Sequence, residues 1–304
     1  MSNLVQIIGL DIGRGYVKGY TEYSETSKEC IFKSVVALGR NMEFTNYEDP
    51  IYLEVEDEDF FVGYLAEVEG DNPIQNLKDD KTTTTVKKLM YAALNKLAVA
   101  EDVKIMLGVP NKLFRKSVLK QVEDAYKGKE INIKDKITGA YKHITIKDIS
   151  IFREGDAALL WHVKDNEPTV NNIGMVTVGF RTTEFSCYDR DLKYNDKLSK
   201  TIEVGNRTAL EFVQRKLKEE NVMRTLPEID SSDRYDNLKV IAYNSLAENT
   251  EQEIENAWVN LGEMDVHIGG GTALNMKFNG YNVIKDAQMV TARGLYLVGS
   301  KRFR

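Results

Sequence analysis

Histidine is scarce: His143, His162 and His267 are the only three in 304 residues, and they are scattered along the chain. A His-rich metal site or a Ser-His-Asp triad is therefore not expected. The two cysteines, Cys30 and Cys187, stand far apart without a paired framework. That usage fits a reducing cytosol and not a disulfide-stapled secreted domain. No apolar run approaches the ~18–20 residues that a membrane span requires. The opening Met-Ser-Asn-Leu-Val enters a short apolar strand, without the charged n-region and long h-region of a secretion signal. A cytoplasmic location is expected. Positive charge is also short, with 41 Lys and Arg against 47 Asp and Glu for a formal charge of −6. No basic stripe of convincing length stands out, so direct, salt-sensitive binding to DNA is not expected. If the protein serves DNA, an adaptor is the expected route.

What the chain does have is room and apolar material. Its 304 residues suffice for two domains at the usual ~100–200 residues each, and a 42% hydrophobic content supplies a sizeable core. An apolar run over 5–10, the stretch Asp11-Ile12-Gly13-Arg14-Gly15 and the run 16–20 read as a glycine-interrupted hairpin. Further strands are expected over 33–38 and 51–62, the latter broken by an acidic turn at 56–59. Helical spacing of Val86, Leu89, Met90, Ala93, Leu94 and Leu97 predicts a helix over 79–100. A strand over 103–109 and a helix over 112–126 follow. The segment 129–151 reads as two strands joined at Thr138-Gly139, and 155–163 as a helix. A second glycine-interrupted hairpin is expected over 173–188, then helices over 207–219 and much of 233–261. A strand over 265–268 runs into Gly269-Gly270-Gly271 with a helix from about Thr272, and the last helix is expected over 287–298. Strands precede helices in two blocks, which predicts two α/β domains. Leu10-Asp11-Ile12-Gly13 and Val176-Thr177-Val178-Gly179 open equivalent blocks, as two related halves would.

A bound triphosphate needs close backbone approach, N–H donors, a cation and a carboxylate that holds magnesium through its waters. The first hairpin offers all of these in Gly13, Gly15, Lys18 and Asp11. An ordinary hairpin turn with an exposed Asp and Lys is the other reading of the same residues. The second hairpin, Thr177-Val178-Gly179-Phe180-Arg181-Thr182-Thr183-Glu184, offers one glycine, hydroxyls and a trailing carboxylate. Gly269-Gly270-Gly271-Thr272 permits a flat or anionic group to approach, or is a plain strand-to-helix connection. Between the hairpins Glu154 stands at a strand-to-helix junction before Gly155-Asp156-Ala157-Ala158.

Taken in this order, the four elements resemble the actin, sugar-kinase and heat-shock-chaperone ATPase superfamily. Within it the chain looks most like the plasmid-segregating bacterial actins of the ParM type. Leu107-Gly108-Val109-Pro110 and the ending Ala287-Gln288-Met289-Val290-Thr291-Ala292-Arg293-Gly294 add to that similarity. The resemblance implies an actin-like fold of two related RNase H-like α/β domains, 1–154 plus 287–304 and 155–286, with ATP or GTP and Mg²⁺ held between them. By the same resemblance Asp11 would hold magnesium through water, Lys18 would contact the β-phosphate, and Gly13, Arg14 and Gly15 would wrap the phosphates. Gly179, Phe180, Arg181 and Thr182 would do so from the second domain. Gly205 and Asn206 would lie near the nucleotide, and Gly269, Gly270, Gly271 and Thr272 beside ribose and base. Glu154 would orient the attacking water. The implied activity is filament formation coupled to nucleotide hydrolysis. The implied partners are further copies of the chain and a ParR-like adaptor on centromere-like plasmid DNA, with no membrane. No chaperone substrate module or amphipathic anchor helix is expected.

The sequence departs from the family at Thr177, where the second hairpin usually opens with Asp. A hydroxyl can hydrogen-bond a metal-bound water but brings no charge. Phe180 and Arg181 replace two small residues, and Arg181 either adds positive charge near the phosphates or faces solvent. A small-molecule kinase of the same superfamily and a static nucleotide-binding polymer are the rival readings. The run Lys301-Arg302-Phe303-Arg304 is expected to be a solubilising tail.

Overall fold

The computed structural model describes residues 5–42, 46–165 and 170–303. The chain forms two compact units, Met1–Ala157 with Thr291–Arg304, and Ala158–Val290. Each is α/β.

The first unit opens with β1 (Gln6–Ile12) and β2 (Tyr16–Tyr23), the expected hairpin, in which Asp11 lies opposite Lys18. β3 (Thr26–Lys33) was not expected. Its turn, Ser24-Glu25, has φ of 48° and 65°, a two-residue hairpin geometry normally announced by Asn or Gly. Then come β4 (Val35–Leu38), β5 (Ile51–Val55), β6 (Glu58–Val62), α1 (Tyr64–Glu69) and β7 (Asp71–Gln75). The acidic turn breaks β5 from β6 where expected, with Glu56 and Asp57 at positive φ. α2 (Thr84–Leu97), β8 (Asp102–Val109), α3 (Lys116–Tyr126), β9 (Glu130–Asp135) and β10 (Tyr141–Arg153) follow, and α4 (Glu154–His162) begins in this unit and continues into the second after Ala157.

Among the described residues these strands form one sheet in the order β3-β2-β1-β8-β10-β9-β5-β6-β4-β7. β1, β8 and β10 run parallel, so their carboxyl ends, at Ile12, Val109 and Arg153, share one edge. In open α/β sheets that edge is where ligands bind. The apolar stripe of α2 is buried in full: Val86, Leu89, Met90, Ala93, Leu94 and Leu97 are all 0% exposed. Burial of one such leucine contributes roughly 1.5–3 kcal/mol. The helix starts five residues later than expected. Asp80 accepts hydrogen bonds from the backbone N–H and hydroxyl of Thr82, and Thr83 caps Val86. These short polar side chains satisfy backbone groups outside the helix.

The second unit contains β11 (Asn172–Val178), β12 (Thr183–Asp189), β13 (Tyr194–Ile202), α5 (Asn206–Glu219), α6 (Leu226–Ser231), α7 (Asp236–Ala257) and β14 (Met264–Gly269). Its sheet order is β13-β12-β11-β14, with β11 parallel to β14. Val176, Val178, Phe185 and Cys187 face α5 and α7 in one apolar cluster. The helix expected from Thr272 is a correction: only a single 3-10 turn, Gly271–Asn275, forms there. The chain beyond it is drawn onto α7, where Glu251 accepts from the N–H groups of Asn279 and Gly280. α8 (Val290–Arg302) starts at the unit boundary and closes the first unit. The expected tail is not free. Phe303 packs with Met106 and Leu295, and Lys104 donates to its carbonyl at 3.1 Å. Arg304 lies outside the described residues.

Candidate functional site

The turn Gly13-Arg14-Gly15 follows the carboxyl end of β1. Its carbonyls are all taken. Ser34 Oγ and Asn76 Nδ2 donate to Gly13 O, Gln75 Nε2 to Arg14 O and the Ser34 N–H to Gly15 O. Among the described residues the N–H groups of Arg14 and Gly15 have no protein acceptor. Such a turn presents positive backbone dipoles outward, which suits an anion. Beside it Lys18 Nζ donates to Asp11 Oδ2 at 2.7 Å, with the carboxylate 7% exposed. The Arg14 guanidinium is turned elsewhere. It pairs with Asp79, which Lys112 also reaches at 3.0 Å. Burial works against the Asp79 charge, but Lys112 and Arg14 outweigh it and hold that carboxyl below the usual range. Arg14 thus offers its backbone and not its charge.

Glu154 directly follows the last residue of β10 and starts α4 on the same edge. Gly108 on the neighbouring β8 leaves it room, since a Cβ there would lie 3.0 Å from Glu154 Cγ. Lys81, which sequence reasoning missed, comes in from the loop before α2. Its Nζ donates to Ile12 O at 2.8 Å and lies 3.7 Å from Glu154 Oε1. Burial raises the Glu154 carboxyl to about 7; Lys81 pulls it down, the Asp11 charge pushes it up and Lys18 pulls it down further. A carboxyl poised near neutrality can accept a proton or hold a water by its anionic form.

In the second unit the turn after β11 repeats this construction. The Gly179 N–H donates to Thr182 O at 2.9 Å. Gly179 O accepts from the Asn206 N–H and from Thr272 Oγ1, and Phe180 O accepts from the Arg207 N–H. The Phe180 and Arg181 N–H groups have no protein acceptor among the described residues. Gly205 lets α5 dock this closely, because a Cβ there would sit 2.5 Å from Gly179 O. Gly270 has φ of +94°, and its Cβ would meet Val178 O at 2.3 Å. Only glycine fits both that angle and that approach. Gly269, Gly270, Gly271 and Thr272 therefore lie against the second hairpin.

Several side chains have structural employment instead. Phe180 packs onto the unit's apolar cluster. Asn206 accepts from Tyr243 OH at 2.7 Å and donates to Asp230. The exposed Arg181 pairs with Glu203 at 2.7 Å. The Thr177 hydroxyl is buried without a hydrogen-bond partner among the described residues, and Glu184 stands directly opposite it on β12.

The scattered histidines prove partly gathered. His162 and His267 meet edge to face with centroids 4.4 Å apart, and Asp265 lies 3.2 Å from His267. Burial lowers both imidazoles below the usual histidine range. Among the described residues no cluster of three or more His, Cys, Asp or Glu could hold a metal by itself. No described helix is long and apolar enough to cross a membrane.

Comparison with known proteins agrees with this geometry. Residues 9–155 match the family model of the actin-like proteins' N-terminal domain. Curated proteins return no sequence match. Among solved structures, the archaeal actin homolog Ta0583 superposes with a TM-score of 0.82 at 19% identity, covering 98% of this chain and 100% of that one. It has also been solved in complex with ADP. A 15-stranded ParM filament from Clostridium botulinum matches with a TM-score of 0.79 at 19% identity, over 98% of this chain and 99% of that one. Bacillus thuringiensis ParM with ATP matches at 0.70 and 14% identity, over 98% and 99% of the two chains. At such identities the likeness establishes the fold, which is actin-like.

Proposed function

We propose, from the premise that the chain is an actin-like protein of ParM-like fold, that it polymerises with a magnesium-bound nucleoside triphosphate and hydrolyses it. The observation that carries this is the duplicated turn. In each unit a hairpin turn has backbone carbonyls bound by protein donors and, among the described residues, two N–H groups without a protein acceptor. That arrangement fits phosphate oxygens.

The residues present also fit magnesium. Asp11 is a buried carboxylate that accepts from Lys18, a partner that can be exchanged. Magnesium keeps most of its waters and needs one or two carboxylates beside the phosphates. Asp11 would hold it through water, and the ion would supply charge neutralisation at the phosphates. Lys18 would then turn its ammonium from Asp11 to the β-phosphate. Glu154 orients the attacking water with its carboxylate and takes its proton at a carboxylate oxygen. Phosphoryl transfer asks mainly for such positioning and charge stabilisation. The choice between adenine and guanine rests with the nucleoside end of the site.

Relatives of this fold form ParM filaments, and a head-to-tail contact that does not close on itself yields a filament here too. Hydrolysis then weakens the lattice and makes it dynamic. A ParR-like adaptor would join the filament to centromere-like plasmid DNA in the cytoplasm, in keeping with the net charge of −6. One observation favours a second reading, a static polymer with little turnover: the buried Thr177 hydroxyl brings no charge to the second hairpin.

High-speed pelleting with Mg-ATP, Mg-GTP, Mg-ADP or no nucleotide, with phosphate followed in the same tubes, tests the proposal. Triphosphate-dependent pelleting that reverses as phosphate appears is the expected result. Pelleting without phosphate release selects the static polymer. Nucleotide binding without any pelleting overturns the filament and revives the kinase.

A further inference from the structure

Lys81 is an unusual place to keep a charge. Its side chain is 6% exposed, and burying an ammonium costs several kcal/mol unless partners compensate. Its position is fixed at both ends. Tyr126 OH, from the end of α3, donates to the Lys81 carbonyl at 2.6 Å. At the other end Nζ donates to Ile12 O, one residue past Asp11, and faces Glu154 Oε1. The ammonium thus bridges the carboxyl ends of β1 and β10. With Asp11 and Lys18 it completes a set of four charges, two of each sign, arranged as two ion pairs on one sheet edge.

We propose that Lys81 is the positioning residue for Glu154: it anchors that carboxylate to the strand end that bears Asp11 and so fixes where the attacking water is held. The inference rests on the reading of Glu154 as the water-orienting group. A carboxylate at the first position of a helix can swing about its own side-chain bonds. The ion pair to a lysine pinned by a backbone carbonyl removes that freedom, and positioning errors of about 1 Å cost on the order of 10²-fold in rate. Lys81 is also the strongest of the cations acting on Glu154, ahead of Lys18. Lys81 acts through Glu154, so its loss lowers turnover and leaves nucleotide binding in place.

The experiment compares wild type, Lys81→Met, Lys81→Arg, Glu154→Gln and the Lys81→Met/Glu154→Gln double variant. Phosphate release is measured at saturating magnesium triphosphate, nucleotide affinity by fluorescent-analogue titration, and filament lifetime by pelleting. Lys81→Met is expected to lower phosphate release about 10²-fold, to leave affinity within about threefold, a shift under 1 kcal/mol, and to lengthen filament lifetime. Lys81→Arg, with the charge retained, recovers part of the rate. The double variant is no slower than Glu154→Gln, because residues acting as a unit are non-additive. Full turnover in Lys81→Met, or a double variant slower than Glu154→Gln by the full Lys81 factor, overturns the assignment. Loss of nucleotide affinity in both Lys81 variants also overturns it and makes Lys81 a phosphate ligand. A wild type that binds nucleotide and releases no phosphate removes the hydrolytic reading itself, and the role of Lys81 with it. A hydrolysing wild type beside an equally fast Lys81→Met refutes the lysine alone.

Discussion

In the first unit Asp11 faces Lys18 across the β1–β2 hairpin, and in the second Thr177 faces Glu184 across β11–β12. The backbones correspond closely. The turn-closing bond runs from Gly13 N to Tyr16 O at 3.1 Å in one and from Gly179 N to Thr182 O at 2.9 Å in the other. Each first strand then pairs in parallel with a later strand, β8 or β14. The chemistry on these frames differs. The first hairpin carries an ion pair of opposite charges, and the second carries a buried hydroxyl beside an acid. What the two units share is a set of backbone donors; what the first adds at its sheet edge are the contacts Lys18–Asp11 and Lys81–Glu154. On the function proposed, a phosphate cradle would be a property of the turn, while hydrolysis would depend on side chains concentrated in the first unit.

The largest effect should come from Glu154→Gln, which keeps the shape and removes the anion. Phosphate release is expected to fall about 10²–10³-fold in a single-turnover assay, with nucleotide affinity little changed. Equal turnover would place the water-orienting group elsewhere and end the asymmetry argued above.

The glycines of the two cradles should also separate. Gly270→Ala forces a Cβ to 2.3 Å from Val178 O at a φ of +94° and is expected to cost about 2–4 kcal/mol in denaturant unfolding. Gly13→Ala meets Tyr16 O at 3.0 Å, with Asp11 Oδ1 and Lys18 Nζ at ordinary contact distance and no positive φ, for about 1 kcal/mol. Similar losses at both positions would mean that the cradles are equally tight.

A pH series tests the same carboxylate without mutation. With the Glu154 carboxyl raised to about 7, the anionic fraction, and with it the rate, should rise about tenfold between pH 6 and 8. Stability moves the other way. The folded pKa lies above the ordinary glutamate value of 4.5, so between these values the native state holds a proton that the unfolded chain has lost. This group's contribution is full below 4.5 and is lost as pH rises through about 7. A rate that is flat from pH 6 to 8 would show that Glu154 does not titrate in the active form.

Much of this comparison is legible in the residues themselves. Both hairpins show as apolar runs around glycines, and the buried stripe of α2 shows as helical spacing. Glu154 stands out at a strand-to-helix junction. Lys81 does not, because Asp79-Asp80-Lys81-Thr82-Thr83 reads as the polar start of a helix. Only its long-range bonds to Ile12 and Glu154 reveal a buried charge. The single turn after Gly271 is illegible for a similar reason: a glycine-rich strand end suggests a helix, and the pull of Glu251 on the following N–H groups is tertiary. Asn206 and Arg181 lie near the expected elements, but their side-chain directions are set by Tyr243, Asp230 and Glu203, which no local pattern announces.

The sharpest use of the comparison is to give the second hairpin the acid it lacks. Thr177→Asp would place a carboxylate directly across from Glu184. Like charges opposed across an antiparallel pair destabilise it, and Glu184 is only 5% exposed, so water screens the pair poorly. Without metal the variant should therefore melt below wild type, by about 1–2 kcal/mol of unfolding free energy. Magnesium triphosphate should reverse that sign, since a second carboxylate beside the phosphates gains a cation to neutralise it. The magnesium concentration for half-maximal phosphate release is expected to fall severalfold, equivalent to about 1 kcal/mol. A variant less stable with and without nucleotide would mean that the Thr177 position does not face the metal. The unlike charges of the two hairpins would then be incidental to hydrolysis, and the burden of catalysis would rest on Asp11, Lys18, Lys81 and Glu154 alone.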